Sequence, residues 1–296
     1  MGHLVESFDR LVENQHGSIL RCQSSENLSF VPDQSVDVVI TDPPYFDNVQ
    51  YSELADFFYV WLRLALKDKY PWFTPSLSSR PDEIVQNDKL GKTTEVFQKG
   101  LSAVLSECNR VLKDEGMLVF TFHHNKLWAW KSIGETLLES GFYVSASPIV
   151  RSEGKSGFHS SEGNIRYDCI LVCRKRSDER SEIKWSDLKM RILTDAIYWT
   201  KRTMASGMPV TKADVFTILM GKTLEHCTKS VPLTTHGGKS VGLSEALDDV
   251  RELSERVAED GQIDGMSLPK RSAKKIEQLS LFVMESRAKY GNNNSP

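Results

Sequence analysis

The apolar positions of the first 175 residues fall into two kinds of pattern. Short, continuous runs rich in β-branched and aromatic residues are typical of strands buried on both faces of a parallel sheet. Such runs predict strands over residues 18–22, 35–41, 117–122, 142–147 and 167–173. The run over 35–41 is followed by Pro43 and Pro44, which cannot continue a central strand, so the chain must leave the sheet there.

Apolar residues at helical spacing separate most of these strands. The first such helix is predicted to begin near Ser52 and to carry Leu54, Phe57, Phe58, Trp61, Leu62 and Ala65. Two more are predicted over residues 94–112, ended by Gly116, and over 125–138, ended by Gly141. The alternating order predicts an α/β fold, a three-layer sandwich around a mostly parallel sheet. Because no helix separates the last two strands, they are predicted to form an antiparallel hairpin at the edge.

The pattern changes after residue 176, so we predict two regions, 1–176 and 177–296. The second begins in a charge-dense stretch and continues as a helical extension, with helices predicted over 185–225, 243–260 and 272–288. Two long connections, over 67–92 and 151–166, interrupt the first region. Connections of this length in a compact domain are often functional.

Charge and cysteine usage exclude several classes of protein. The 296 residues include 37 Lys and Arg against 40 Asp and Glu, a net charge of −3, which excludes a generally basic DNA-coating protein. The five cysteines form no CxxC pair, and no histidine stands at zinc-finger spacing from them, so no metal site is predicted. The sequence has neither a signal-peptide pattern nor a long apolar run, and we expect a cytoplasmic protein without a membrane segment.

The tetrapeptide Asp42-Pro43-Pro44-Tyr45 directly follows a predicted buried strand. Ligands of open α/β sheets bind at the carboxyl ends of strands, so these residues should line a pocket. The prolines stiffen the loop and leave carbonyl groups free to accept hydrogen bonds, and the carboxylate of Asp42 is a second acceptor. Tyr45 offers a flat face to a planar base. Acceptors beside an aromatic face suit the amino group of a nucleobase extruded from the duplex. The alternative is a plain turn with Tyr45 packed in the core.

The longer run SVDVVITDPPYFDNVQYSELADFFYVWL, residues 35–62, resembles the catalytic segment of adenine-specific DNA methylases with a DPPY motif. It is most similar to the group that carries a DUF1156 region, and the resemblance covers about residues 15 to 175. It implies a Rossmann-like methyltransferase sheet, S-adenosylmethionine as methyl donor and N6 of adenine as acceptor. The catalytic residues would be Asp42, Pro43, Pro44 and Tyr45, with Asp42 and the carbonyl of Pro43 holding the amine and Tyr45 stacking on the base.

One feature of these methylases is missing from the chain, the glycine-rich loop of the form D/N-P-F-x-G-x-G. In addition, Gln23, Ser24 and Ser25 stand where relatives often show Gly-Asp-Ala. Ser24, Ser25 and Asp42 are therefore expected to form only part of the cofactor site. A truncated product, one subunit of a split enzyme and a degenerate relative all fit this pattern. Each leaves a hydrophobic sheet edge exposed, so we expect an upstream methylase half or a homo-oligomer to cover it.

Further residues near the motif are candidates for binding the DNA substrate. They are Tyr45, Phe46, Asn48, Arg80 in the first long connection, and His123 at the end of a strand. For His123, a capping role at the strand end is an equal alternative. The sequence thus predicts an adenine-N6 DNA methyltransferase that acts on a base extruded from the duplex. The alternatives are an N4-cytosine DNA methyltransferase, a degenerate methylase, and a non-catalytic DNA-binding or regulatory subunit.

Overall fold

The computed structural model describes residues 19, 21–45, 49–78, 83–152, 165–176, 183–205 and 210–259. Chain contacts divide the protein into Met1–Gln262 and Ile263–Pro296. The second unit, including the helix predicted over residues 272–288, lies outside the described residues. The division predicted at residue 176 stays a prediction.

The main sheet has five strands: β1 (Val36–Thr41), β2 (Leu112–Phe122), β3 (Phe142–Ala146), β4 (Ile149–Arg151) and β5 (Tyr167–Lys175). Their order is β1-β2-β5-β3, and β4 also pairs with β5. β1 and β2 are parallel, whereas β5 is antiparallel to β2, β3 and β4. The α/β prediction is confirmed, but the sheet is mixed rather than mostly parallel, because β1 and β2 form the one parallel pair among its described strands. β3 and β5 pair antiparallel at the end of the sheet, with β3 outermost and β5 next to β2, so the predicted antiparallel pair at the edge is confirmed.

The helices lie where periodicity predicted them, apart from small shifts of their ends. They are α1 (Tyr51–Leu66), α2 (Thr94–Val111), α3 (Leu127–Glu139), α4 (Trp185–Ala205), α5 (Lys212–Cys227) and α6 (Leu243–Glu259). Gly141 follows α3 with a φ of +78°, as expected of a glycine that ends a helix. Among the described residues, no helix is long and apolar enough to cross a bilayer.

Two local predictions were wrong. Of the strand predicted over residues 18–22, the described residues Ile19, Arg21 and Cys22 are not in a strand. Gly116 does not end α2, because β2 begins immediately after that helix. Gly116 lies instead in an irregular part of β2, where a Cβ atom would stand 2.9 Å from the backbone oxygen of Lys113.

One face of the sheet carries the hydrophobic core. The buried side chains of this inner face alternate along the strands: Leu118, Phe120 and Phe122 on β2, and Cys169, Leu171 and Cys173 on β5. Three helices pack on it. α2 contributes Phe97 and Leu105 to the core, Trp130 of α3 meets the ring of Phe122 edge-on at 4.9 Å, and Gly221 of α5 lies against Cys169.

The opposite face and the β1 edge are much less covered. Within the described residues β1 pairs only with β2, and its outer-face side chains Val38 and Ile40 are exposed, Ile40 by 79%. The outer-face residues of β2 and β5 are half-buried: Met117, Val119, Thr121, Ile170 and Val172. The described residues thus supply one helical layer against the sheet, and the second layer of the predicted sandwich is not among them.

α1 exposes an apolar surface of its own. Phe57 and Trp61 are exposed by 67% and 61%, and the helix carries further exposed apolar side chains: Tyr51, Leu54, Phe58, Val60, Leu62 and Leu64. Periodicity located this helix correctly. Side chains at this spacing are normally buried, but those of α1 are exposed.

Candidate active site

The Asp42 corner stands at the carboxyl end of β1. β1 ends at Thr41, and residues 42–45 continue without regular structure because two successive prolines have no N–H groups to donate to a ladder. Thr41 lies opposite Phe120 in the parallel pairing with β2. The corner therefore comes next to Thr121 and His123, which belong to the same end of the neighbouring strand.

Two hydroxyl groups hold the carboxylate of Asp42. Tyr45 Oη donates to Asp42 Oδ1 at 2.8 Å, and Thr121 Oγ1 donates to the same oxygen at 2.5 Å. The two hydroxyl oxygens are themselves 2.5 Å apart. Thr121 was not singled out from the sequence. Thr121 follows Phe120, the residue of β2 that pairs with Thr41. This position at the carboxyl end of a parallel strand is the signal that could have identified it.

The ring of Tyr45 is half-buried at the end of the sheet. It makes edge contacts with Phe122, at 5.6 Å between centroids, and with His123, at 4.9 Å. Burial raises the pKa of Tyr45, and the hydrogen bond to Asp42 raises it further, so the phenol stays protonated and can donate. Tyr45 thus combines partial packing on the core with a role in fixing Asp42. Its stacking on a base stays a prediction.

A second pair of side chains lies just beyond Tyr45. His123 Nδ1 is 2.5 Å from Asp168 Oδ1 on β5, and both side chains are partly buried. Sequence reasoning proposed His123 but missed Asp168. The available signal was a charged residue inside an otherwise apolar strand, where a carboxylate needs a partner.

A cleft of about 240 Å³ opens beside the corner on the inner side of the sheet. Ser24, Ser25, Asp42, Pro43 and Pro44 line its polar part, so the three predicted cofactor-binding residues share one cleft. The remaining wall is apolar and comes from the sheet, from α2 and α3, and from the connection before α2, mainly Ile84, Phe97, Leu101, Val104, Leu105, Leu118, Phe120 and Ile133.

The residues that line the cleft fit only part of S-adenosylmethionine, the methyl donor that the methylase resemblance implies. The carboxylate of Asp42 suits the positive charge at the transferring end of the donor, and the hydroxyls of Ser24 and Ser25 suit polar atoms of the nucleoside. No glycine is among the described residues that line the cleft, so they do not supply the glycine-rich loop that the methylase resemblance implies for the amino-acid part.

Three of the predicted substrate-binding residues, Phe46, Asn48 and Arg80, lie outside the described residues. Within the part of the chain that the structure describes, no group of three His, Cys, Asp or Glu side chains could hold a metal ion.

Comparison with known families decides the class of the protein. Residues 36–195, more than half of the chain, match the family model for DNA methylase. The chain belongs to this DNA methylase family. The match begins at β1 and includes the Asp42 corner, Thr121, His123 and Asp168, so the hydrogen-bonded part of the candidate site lies within the methylase region.

Solved structures and curated proteins add little to this assignment. Two crystal structures of a Thermus thermophilus protein that bears the name DNA modification methylase are similar at 17% identity. They cover 58% of this chain, with TM-scores of 0.29 and 0.30, and this chain spans 60% and 62% of their length. No curated protein matches the sequence significantly.

Proposed function

We propose that this DNA methylase transfers a methyl group from S-adenosylmethionine to N6 of adenine in DNA, as a member of the DPPY group that carries a DUF1156 region. The observation that carries the proposal is the fixed carboxylate of Asp42. It stands beside two prolines at the end of a parallel strand, next to a cleft. A structural turn would not need two hydroxyl groups directed at one carboxylate oxygen.

The proposed chemistry depends on positioning. The amino group of adenine is a poor nucleophile because its lone pair is delocalised into the ring. Asp42 and the carbonyl of Pro43 accept the two N–H hydrogens, which localises the lone pair on nitrogen and directs it at the methyl carbon. The same acceptors stabilise the positive charge that develops on nitrogen. Tyr45 and Thr121 keep Asp42 in place, so little reorganisation is needed at the moment of reaction.

Bound S-adenosylmethionine would supply an activated methyl group on a sulfonium centre. Asp42 would face this end of the donor, while Ser24 and Ser25 would contact the nucleoside. For the amino-acid end, the described residues that line the cleft include no glycine-rich loop. We therefore propose that an upstream methylase half, on the same or a separate polypeptide, completes the site with a glycine-rich loop.

The exposed edge supports this second part of the proposal. Among the described residues nothing pairs with the outer side of β1, and Ile40 and α1 both present exposed apolar groups. A strand that pairs with β1 would extend the sheet at the point where the cleft opens, and helices attached to it would cover the outer face. Ile40→Lys should weaken this association without affecting the inner core, because Ile40 is exposed.

The test of the function uses the tagged protein isolated from its native cells with the polypeptides that stay bound to it. Unmethylated DNA and S-adenosylmethionine with a labelled methyl group are added, and the nucleosides are separated after digestion. Label in N6-methyladenine is the expected result, and Asp42→Ala should abolish it. Label in N4-methylcytosine would mean that the substrate base is cytosine and not adenine. DNA binding with no label in any nucleoside would contradict the enzyme and favour a regulatory subunit.

A further inference from the structure

We propose that His123, oriented by Asp168, accepts the proton that the adenine amine releases during methyl transfer. This inference rests on the proposed function and adds a proton acceptor to it. It assigns a role to two side chains that the positioning chemistry at Asp42 leaves unused.

The hydrogen bond to Asp168 fixes the imidazole in the useful form. Asp168 is a carboxylate acceptor, so Nδ1 of His123 carries the hydrogen of the 2.5 Å contact. In the neutral ring Nε2 then has a free lone pair, and among the described residues nothing hydrogen-bonds to it. A carboxylate behind an imidazole also stabilises the imidazolium that forms when the proton arrives, which is how histidine bases are commonly supported.

Asp42 is the competing acceptor, but one of its carboxylate oxygens is already engaged. Its Oδ1 atom already accepts hydrogen bonds from the hydroxyls of Tyr45 and Thr121. In the proposed function the same carboxylate also accepts a hydrogen bond from the adenine amine, so its acceptor positions serve to hold groups in place. Asp42 is therefore suited to holding the amine, whereas His123 is suited to removing the proton.

His123 is a neighbour of the base-binding corner. Its ring lies 4.9 Å from that of Tyr45, which in turn donates to Asp42. Groups that face it come from each adjoining element: Asp168 from β5, Tyr45 from the loop after β1, and, beyond Tyr45, the carboxylate of Asp42. The two carboxylates both favour a positive charge on the ring once it is protonated.

Methyl transfer and proton removal are two successive bond changes at the amine nitrogen. The amine nitrogen forms a bond to the methyl carbon, and the carbon–sulfur bond breaks with its electron pair going to sulfur. One N–H bond then breaks, its electron pair stays on nitrogen, and the proton goes to Nε2 of His123. The imidazolium releases the proton to water after the methylated base leaves.

The experiment compares His123→Gln, Asp168→Asn and the control Asp195→Asn, each isolated from native cells with its bound polypeptides. Asp195 pairs with His226 at 2.8 Å between α4 and α5, a second partly buried His–Asp pair that is not among the residues of the site. The kcat for methyl transfer to DNA is measured at steady state from pH 5.5 to 9. KM for DNA and the donor is measured at pH 8.

We expect His123→Gln to lower kcat about 100-fold with KM unchanged, since a general base typically contributes this much or more. Asp168→Asn should lower kcat less and move the acidic limb of the pH profile to lower pH, because the imidazolium loses its carboxylate. His123→Ala should regain activity when free imidazole is added. The control Asp195→Asn should keep the wild-type rate and profile.

Wild-type kcat and pH profile in His123→Gln, while Asp42→Ala is inactive, would overturn the role of His123 and leave the proposed function intact. A pH profile unchanged by Asp168→Asn would overturn the orienting role of the carboxylate. If the wild-type preparation transfers no methyl group, the proposed function fails, and the proton acceptor fails with it.

Discussion

At the residue scale, the Asp42 corner is a hydrogen-bonded unit rather than a motif of four independent residues. Tyr45 makes two contacts in this unit: its hydroxyl donates to Asp42, and its ring packs against His123. Thr121 reaches the same carboxylate from the next strand. The ring and the hydroxyl of Tyr45 can therefore be tested separately.

Tyr45→Phe keeps the ring and removes only the hydroxyl, so Asp42 would retain one of its two donors. We expect methyl transfer about 10-fold slower, the effect of one lost hydrogen bond to a charged group. Tyr45→Ala should abolish transfer because the proposed stacking surface is lost as well. Rates of label incorporation into DNA measure both. Equal rates for the two variants would show that the ring has no role beyond carrying the hydroxyl.

A second prediction at this scale concerns Glu107. Hydrogen bonds from Arg110 and from the backbone N–H of Leu28 lower the pKa of Glu107 to about 2 from 4.5. A carboxyl group whose pKa is lower in the folded state stabilises the protein above pH 4.5, and this stabilisation is lost as the pH falls toward 2.

Glu107→Gln should therefore lower the free energy of unfolding at pH 7 by on the order of 1 kcal/mol. The difference from the wild type should shrink between pH 4.5 and pH 2. Urea denaturation at several pH values measures it. A constant difference across that range would mean that Gln disturbs packing rather than charge.

The sequence could reveal Asp42, Pro43, Pro44 and Tyr45 because their spacing is local and follows a strand. It could not reveal how they are held. Thr121 is 79 positions from Asp42, and Asp168 is 45 positions from His123. Contacts of this kind depend on which strands become neighbours, and the local pattern did not assign β5 its place beside β2.

At the scale of elements, the contact between α5 and β5 is unusually close. A Cβ atom on Gly221 would stand 2.5 Å from Sγ of the buried Cys169. Gly221→Ala should therefore force the helix away from the sheet and destabilise the fold by about 1–3 kcal/mol, the usual effect of overpacking a core. Thermal unfolding followed by circular dichroism measures the loss.

Gly237→Ala is the matched control, since only a side-chain oxygen of Thr235 at 3.9 Å would lie near its new methyl group. It should leave Tm unchanged within error. Recovery of stability in the double variant Gly221→Ala, Cys169→Ala would identify the sulfur atom as the obstacle. A Gly221→Ala variant as stable as the wild type would refute the close packing.

Periodicity proved a reliable guide to where helices lie, and a poor guide to what they contact. α1 has the apolar spacing of a buried helix, yet Phe57 and Trp61 are exposed. The spacing of apolar residues shows that one side of a helix is hydrophobic. It does not show whether the surface that covers this side belongs to the same chain. The mixed sheet shows the same limit, because strand order is set by long-range pairing.

At the scale of the whole molecule, α1 and β1 both carry apolar groups that the described residues leave uncovered. The isolated chain should then associate with itself at micromolar concentration, because large exposed aromatic surfaces favour contact. Replacing Phe57 and Trp61 together by Ser should reduce this association and give the 33.5 kDa monomer.

Size-exclusion chromatography with light scattering measures this effect. Met204→Ser is the control, since Met204 is exposed to a similar degree but lies on α4. The control should associate like the wild type. A wild-type chain that stays monomeric at high concentration would contradict the expectation that this surface avoids water.

The interior place of β5 has a consequence for synthesis on the ribosome. β3 emerges well before β5, yet β5 is the strand with which it pairs. Until Tyr167–Lys175 leaves the exit tunnel, the β1–β2 pair and the nascent β3 segment have no shared partner. Both long connections must therefore be synthesised before the sheet can form completely. During this interval the strands expose apolar surface to which chaperones can bind.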